Sequence, residues 1–110
     1  MGVIMITQLK KGTLEMCVLS ILDKEDQYGY ELVTLISREV EVTVGTIYPL
    51  LNRMKKEGLI ESETRDSPDG PSRKYYHLTD KGREALTKSV SEWHRFSAGI
   101  NRILGGLFNE

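Results

Sequence analysis

The chain has a single cysteine, Cys17, so no disulfide can form within it. It has one tryptophan, Trp93, and only three prolines, at 49, 68 and 71. No apolar run reaches the length of a membrane span. The opening "MGVIMITQLKK" has no charged region before its apolar cluster and no small-residue cleavage site. It makes a poor secretory signal, and the cytoplasm is the expected compartment. Neither charge sign dominates: the formal net charge is −1, which excludes nucleic-acid attraction by bulk charge alone. There is no glycine-rich phosphate loop, no GxSxG, no HExxH and no paired acid and base, so no catalytic residue and no cofactor is expected.

What remains is a chain of 110 residues, 39% hydrophobic and 28% charged. That is one domain, or one domain with an appended element. Charge is unevenly placed: residues 1–42 hold 4 basic and 7 acidic residues, and residues 43–110 hold 11 and 9. "QLKKGTLEMCVLSILDK", 8–24, reads as a helix apolar on most sides beyond Gly12, which needs more than one partner. "EDQ" ends it. "YGYELVTLISREV", 28–40, reads as a second helix with Leu32, Val33, Ile36 and Val40 on one stripe.

Thr43 is the expected cap of a third helix that stops at Gly58. There Ile47, Leu50, Leu51 and Met54 point one way, and Gly45, Pro49, Asn52 and Lys56 the other. Thr46 and Arg53 flank that outer face on one side, Tyr48 and Lys55 on the other. Proline inside a helix costs about 3 kcal/mol. If the helix begins near Thr46, Pro49 falls in the first turn, where its missing amide is no loss. "LIESETR" and "RKYYHLT" read as strands joined by the turn cluster "DSPDGPS", 66–72. Thr79 then caps a last helix carrying Leu86, Val90, Trp93, Ile100 and Leu104. Their near-heptad spacing, with Ser97 in the missing position, marks a helix–helix seam. One small domain cannot bury it, so a homodimer is expected.

Three helices followed by a hairpin is the order of a winged helix-turn-helix. Such a module puts its third helix in the DNA major groove and its hairpin on the backbone. The fold class is therefore mainly α with a β-hairpin wing. Residues 1–78 form the DNA-binding domain and 79–110 the dimerisation helix. The outer face offers Thr46, Tyr48, Pro49, Asn52, Arg53 and Lys56, and the wing Ser72, Arg73 and Lys74. These residue types can donate to phosphates or base edges. Two such helices in a dimer read an inverted repeat with half-sites about 34 Å apart. The competing class is a winged-helix module for protein–protein contact without DNA. Cys17, on an apolar helix face, reads as inert packing. His77 and His94 share no ligand spacing with Cys17 or with a carboxylate cluster, so no metal site is expected.

The set "YGYE" (28–31), "GTIYPLLNRMKKEGLI" (45–60) and "RKYYHLTDKGREAL" (73–86) resembles the PadR family of bacterial transcriptional regulators. The resemblance covers about residues 9–95, in the same order. It implies a homodimer, usually a repressor released by a small effector, whose last helix packs on the partner's first helix. In the multidrug-sensing branch of that family, a tryptophan at the place of Trp93 lines a pore at the dimer centre. By that resemblance Trp93 would hold a planar aromatic effector, with Leu9, Met16, Ser20 and Ser97 the expected neighbours; the competing reading of Trp93 is packing in the dimer seam. Two departures stand out. "REVEVTV" is a short connection between the second and third helices, and Ser72 stands where relatives commonly carry a basic residue.

Overall fold

The computed structural model describes residues 12–105. The order is α1 (Thr13–Lys24), β1 (Gln27–Tyr28), α2 (Gly29–Ser37), α3 (Val44–Lys56), β2 (Ile60–Ser67), β3 (Gly70–Leu78) and α4 (Asp80–Leu104). This is the winged helix-turn-helix with a long C-terminal helix.

The core follows from helical spacing. Leu14, Val18, Leu19 and Leu22 of α1 meet Leu32, Val33 and Ile36 of α2 and Ile47, Leu51 and Met54 of α3. Leu59, Ile60 and Tyr76 close it from the sheet side. Each element contributes one stripe, so the three helices bury their apolar faces on one another and on the base of the hairpin.

Four local expectations change. Gly12, with φ of 85°, sits before α1 in a left-handed conformation, so α1 starts at Thr13. Residues 8–11 lie outside the described residues. α2 ends at Ser37 rather than residue 40, and Val40 is exposed. The short connection to α3 turns there, with the Glu39 and Val40 amides both donating to the Ile36 carbonyl.

The third change concerns Pro49. α3 begins at Val44, directly after the expected cap position Thr43 and not near Thr46, with the Ile47 amide donating to the Thr43 carbonyl. Pro49 is therefore past the first turn, and one intrahelical bond to Gly45 is missing. Both residues are exposed, which leaves the Gly45 carbonyl to water instead of orphaning it in the core.

The fourth concerns the sheet, which has three strands in the order β1-β3-β2, all antiparallel. Gln27 and Tyr28 pair with Tyr76 and Tyr75, stitching the base of the wing to the start of α2. β2 and β3 also run further than expected, with Ser67 opposite Gly70 and a register shift after Arg65.

"LTDKGREAL" is the joint between wing and last helix. The Thr79 hydroxyl accepts from the Gly82 amide at 3.0 Å and lies 2.7 Å from the Gly58 carbonyl oxygen. Lys81 Nζ donates to the Glu57 carbonyl at 2.7 Å. Gly82 is buried against the Leu59 carbonyl so closely that a Cβ would collide with it. Gly58, at φ 79°, supplies the left-handed residue that ends α3.

Candidate nucleic-acid interface

The joint and the sheet set two surfaces side by side. On α3, Thr46, Tyr48, Pro49, Asn52, Arg53 and Lys56 are all exposed, as the helical wheel requires. On β3, Ser72, Arg73 and Lys74 are exposed too. Tyr48, Asn52, Arg73 and Lys74 come together with Tyr28, Gly29 and Tyr76 around one cleft of about 410 Å³. No carboxylate is among these lining residues, so the cleft is cationic. The Tyr48 ring lies directly over Gly29, where an added Cβ would come within 2.6 Å of its hydroxyl. That close approach explains the glycine of "YGYE". Burial, with Tyr48 beside it, pushes the Tyr76 phenol above its ordinary range.

The other predicted contacts are placed differently. Arg53 is 3.2 Å from Glu15 and 3.4 Å from Glu57, so acidic neighbours already hold it on its flank of α3. Ser72 donates to Asp66 Oδ1 at 2.9 Å, a contact that braces the hairpin tip. Thr46 Oγ1 lies 3.4 Å from Thr43 Oγ1 at the helix start. Lys56 is exposed at the last turn of α3, where a cation also complements the helix dipole.

The sequence reading missed Tyr28. It closes the cleft, and the Arg73 guanidinium sits 4.5 Å from the centre of its ring. The only local signal was the aromatic before Gly29, and its meaning depends on the β1–β3 pairing.

His77 also differs from expectation. The sheet brings it together with Asp26 and Glu63, their ligand atoms all within 4.8 Å of one another, and Glu61 lies 3.0 Å from its ring. Arg65 occupies this cluster, 2.8 Å from Asp26 and 2.6 Å from Glu63. Those hydrogen bonds raise the guanidinium pKa further. The cluster already holds a built-in cation.

In a second concavity, Met16, Ser20 and Trp93 border a largely apolar region of about 730 Å³ between α1, α2 and α4. Cys17 and Val90 line it as well. Burial pushes the Cys17 thiol up, which keeps it protonated at neutral pH. Ser97 is not part of this wall; its hydroxyl donates to the His94 carbonyl at 3.4 Å. Leu9 lies outside the described residues.

The predicted seam divides. Leu86 packs on the core of its own domain and Val90 lines the concave region, whereas Trp93, Ile100 and Leu104 are exposed. The stripe also includes two residues the spacing did not single out, Phe96 at 64% and Ile103 at 82% exposure.

Known proteins share this fold. The sequence model of the transcriptional regulator PadR-like family matches residues 18–88. A solved PadR-like transcriptional regulator of Bacillus cereus is 48% identical, with a TM-score of 0.82, over 90% of this chain and 98% of its own. A PadR family transcription regulator of Clostridium difficile is 36% identical, with a TM-score of 0.79, over 86% and 100%. A transcriptional regulator of Mycobacterium tuberculosis is 33% identical over 100 residues, 90% of each chain. The matched span runs from the buried heart of α1 through the cationic cleft to the Gly82 joint: the chain belongs to the PadR-like family of DNA-binding transcriptional regulators, and is not an enzyme.

Proposed function

We propose that the chain is a homodimeric repressor that binds an inverted-repeat operator and is released by a planar small molecule. One observation carries the DNA reading. The exposed face of α3 and the strand of the wing meet at a cleft that offers Asn52, Arg73 and Lys74 and no carboxylate. Arg73 and Lys74 suit phosphates, which supply affinity without sequence information. Asn52 suits a base edge, where a good pair discriminates by about 1–3 kcal/mol. Lys56 extends the cationic surface along α3. Arg53, already ion-paired, is a weaker contributor, and Ser72 acts by bracing the wing. Tyr48 and Pro49 shape the face that enters the groove.

The dimer reading is supported by the apolar stripe of α4. Trp93, Phe96, Ile100, Ile103 and Leu104 all remain exposed among the described residues. Residues 12–78 carry the DNA surface, and α4 carries the stripe. The effector reading is supported by Trp93 beside Met16 and Ser20 at the edge of an apolar hollow. A flat ligand stacked on an indole gains about 0.5–1.5 kcal/mol beyond area burial. Release follows only if the ligand binds the free form better than the DNA-bound form. Such a regulator works in the cytoplasm, where the DNA is. The test is a gel shift on the DNA upstream of its own gene, with salt varied. A discrete complex that weakens steeply with salt is expected. No complex at low salt contradicts the reading and leaves the protein–protein module in its place.

A further inference from the structure

The outer face of the sheet carries two arginines in opposite circumstances. Arg65 and Arg73 are register partners on β2 and β3. Each guanidinium lies over a tyrosine: Arg65 is 4.4 Å from the Tyr75 ring centre and Arg73 is 4.5 Å from that of Tyr28. The two rings meet edge to face, 5.6 Å apart. The result is a ladder, Arg73–Tyr28–Tyr75–Arg65. At one end Arg65 is bound to Asp26 and Glu63, so its charge is already satisfied. At the other end Arg73 has no carboxylate partner among the described residues, and it borders the cleft that also holds Asn52 and Lys74.

Tyr28 is a firm support. Its backbone pairs with Tyr75, and its amide donates to Glu31 Oε1 at 2.9 Å at the start of α2. A guanidinium stacked on a ring keeps its five N–H groups in its own plane, free at the edge. With its guanidinium carbon over the ring, Arg73 is supported by Tyr28 without using up a hydrogen bond, and its donors stay available to a ligand. The contact also restricts a side chain that would otherwise lose much rotamer freedom on binding.

We propose that Tyr28 is a positioning residue for DNA recognition: its ring holds the Arg73 guanidinium edge-out in the cleft for one phosphate of the duplex backbone. This rests on the reading of Arg73 as a DNA contact. It also assigns Tyr28 a role distinct from Tyr75, which serves the internally neutralised Arg65.

The test uses the full chain and fluorescence anisotropy on two labelled duplexes, one from upstream of its own gene and one unrelated, across a salt series. Arg73→Ala reads the underlying assignment. It should weaken both duplexes and reduce the salt slope by about 1. Tyr28→Phe keeps the ring and should bind like the parent. Tyr28→Leu removes the ring and should lose about fivefold on both duplexes, with a shallower slope. In the Arg73→Ala background Tyr28→Leu should cost nothing more. A general loss of structure would instead add to the Arg73→Ala loss, and thermal melting reads that separately. Additive losses, or a Tyr28→Leu protein that binds like the parent while Arg73→Ala is weakened, overturn the role of Tyr28 and leave the DNA reading standing. An Arg73→Ala protein that binds like the parent overturns the wing assignment and the Tyr28 proposal with it.

Discussion

The winged domain and the distal half of α4 draw on the same apolar residue types and dispose of them in opposite ways. In the winged domain Val18, Leu19, Leu32, Ile47, Leu51, Met54 and Ile60 are fully buried. Along α4 beyond Val90, the large apolar side chains lie between 39% and 82% exposed. The first set finds its partners within one chain. The second stays exposed among the described residues, and a contiguous exposed apolar stripe marks an interaction surface. α4 has 25 residues, about 37 Å of helix, and only its first turns rest on the domain. Gly82, Ala85 and Leu86 seat it, and Arg83 adds a 3.1 Å ion pair to Asp23 of α1. One region closes its own fold, and the other leaves an apolar face exposed.

The largest effect should come from breaking the second region. Ile100→Asp with Ile103→Asp removes four large apolar side chains from a two-fold interface, about 6–12 kcal/mol at about 1.5–3 each. Sedimentation should show a monomer whose helical content is close to the parent's, and whose DNA binding is lost. A parent that already sediments as a monomer at micromolar concentration would show that the stripe serves something else. Next in size is a change in the first region. Leu51→Ala, at a fully buried site, should cost about 2–5 kcal/mol in denaturant unfolding. Its dimer should survive at concentrations where the chain is folded. Equal sensitivity of both properties in both variants would erase the distinction between the regions.

Much of this was legible beforehand because it rests on local periodicity. The i, i+4, i+7 spacing of Ile47, Leu51 and Met54 determines which side of α3 is free, whatever the helix start. Thr79 before "DKG" announced its own cap. Thr43 likewise marks the start of α3, and Pro49 falls just past the first turn, where exposure of Gly45 and Pro49 tolerates it. β1 escaped notice because a two-residue strand has no period, and its existence depends on β3, some fifty residues away. For the same reason Tyr28, the Arg73 stack and the His77 carboxylate cluster could not be read from spacing. Phe96 and Ile103 were passed over because the heptad stripe accounted for the helix without them. Their exposure shows the apolar face to be broader than a single seam.

A smaller effect tests the hollow beside α4. Trp93→Ala should weaken a flat cationic dye about tenfold, followed by the dye's own signal, since stacking and cation–π terms together amount to about 1–2 kcal/mol. Dye binding unchanged in that variant would make Trp93 a packing residue of the stripe. The smallest effect belongs to Arg53. Because Glu15 and Glu57 already engage it, Arg53→Ala should shift DNA affinity less than Arg73→Ala, by about 1 kcal/mol or less. Equal losses would show that the ion pairs open on binding.

The most direct test of the central claim, that α3 and the wing form one DNA-reading surface, is the salt dependence of duplex binding by the parent and by Arg73→Ala with Lys74→Ala. Each phosphate contact contributes about 0.9 to the slope of log affinity against log salt, so the double variant should lose about 2 units of slope while keeping the parent's melting temperature. A double variant with the parent's slope and affinity would contradict the account.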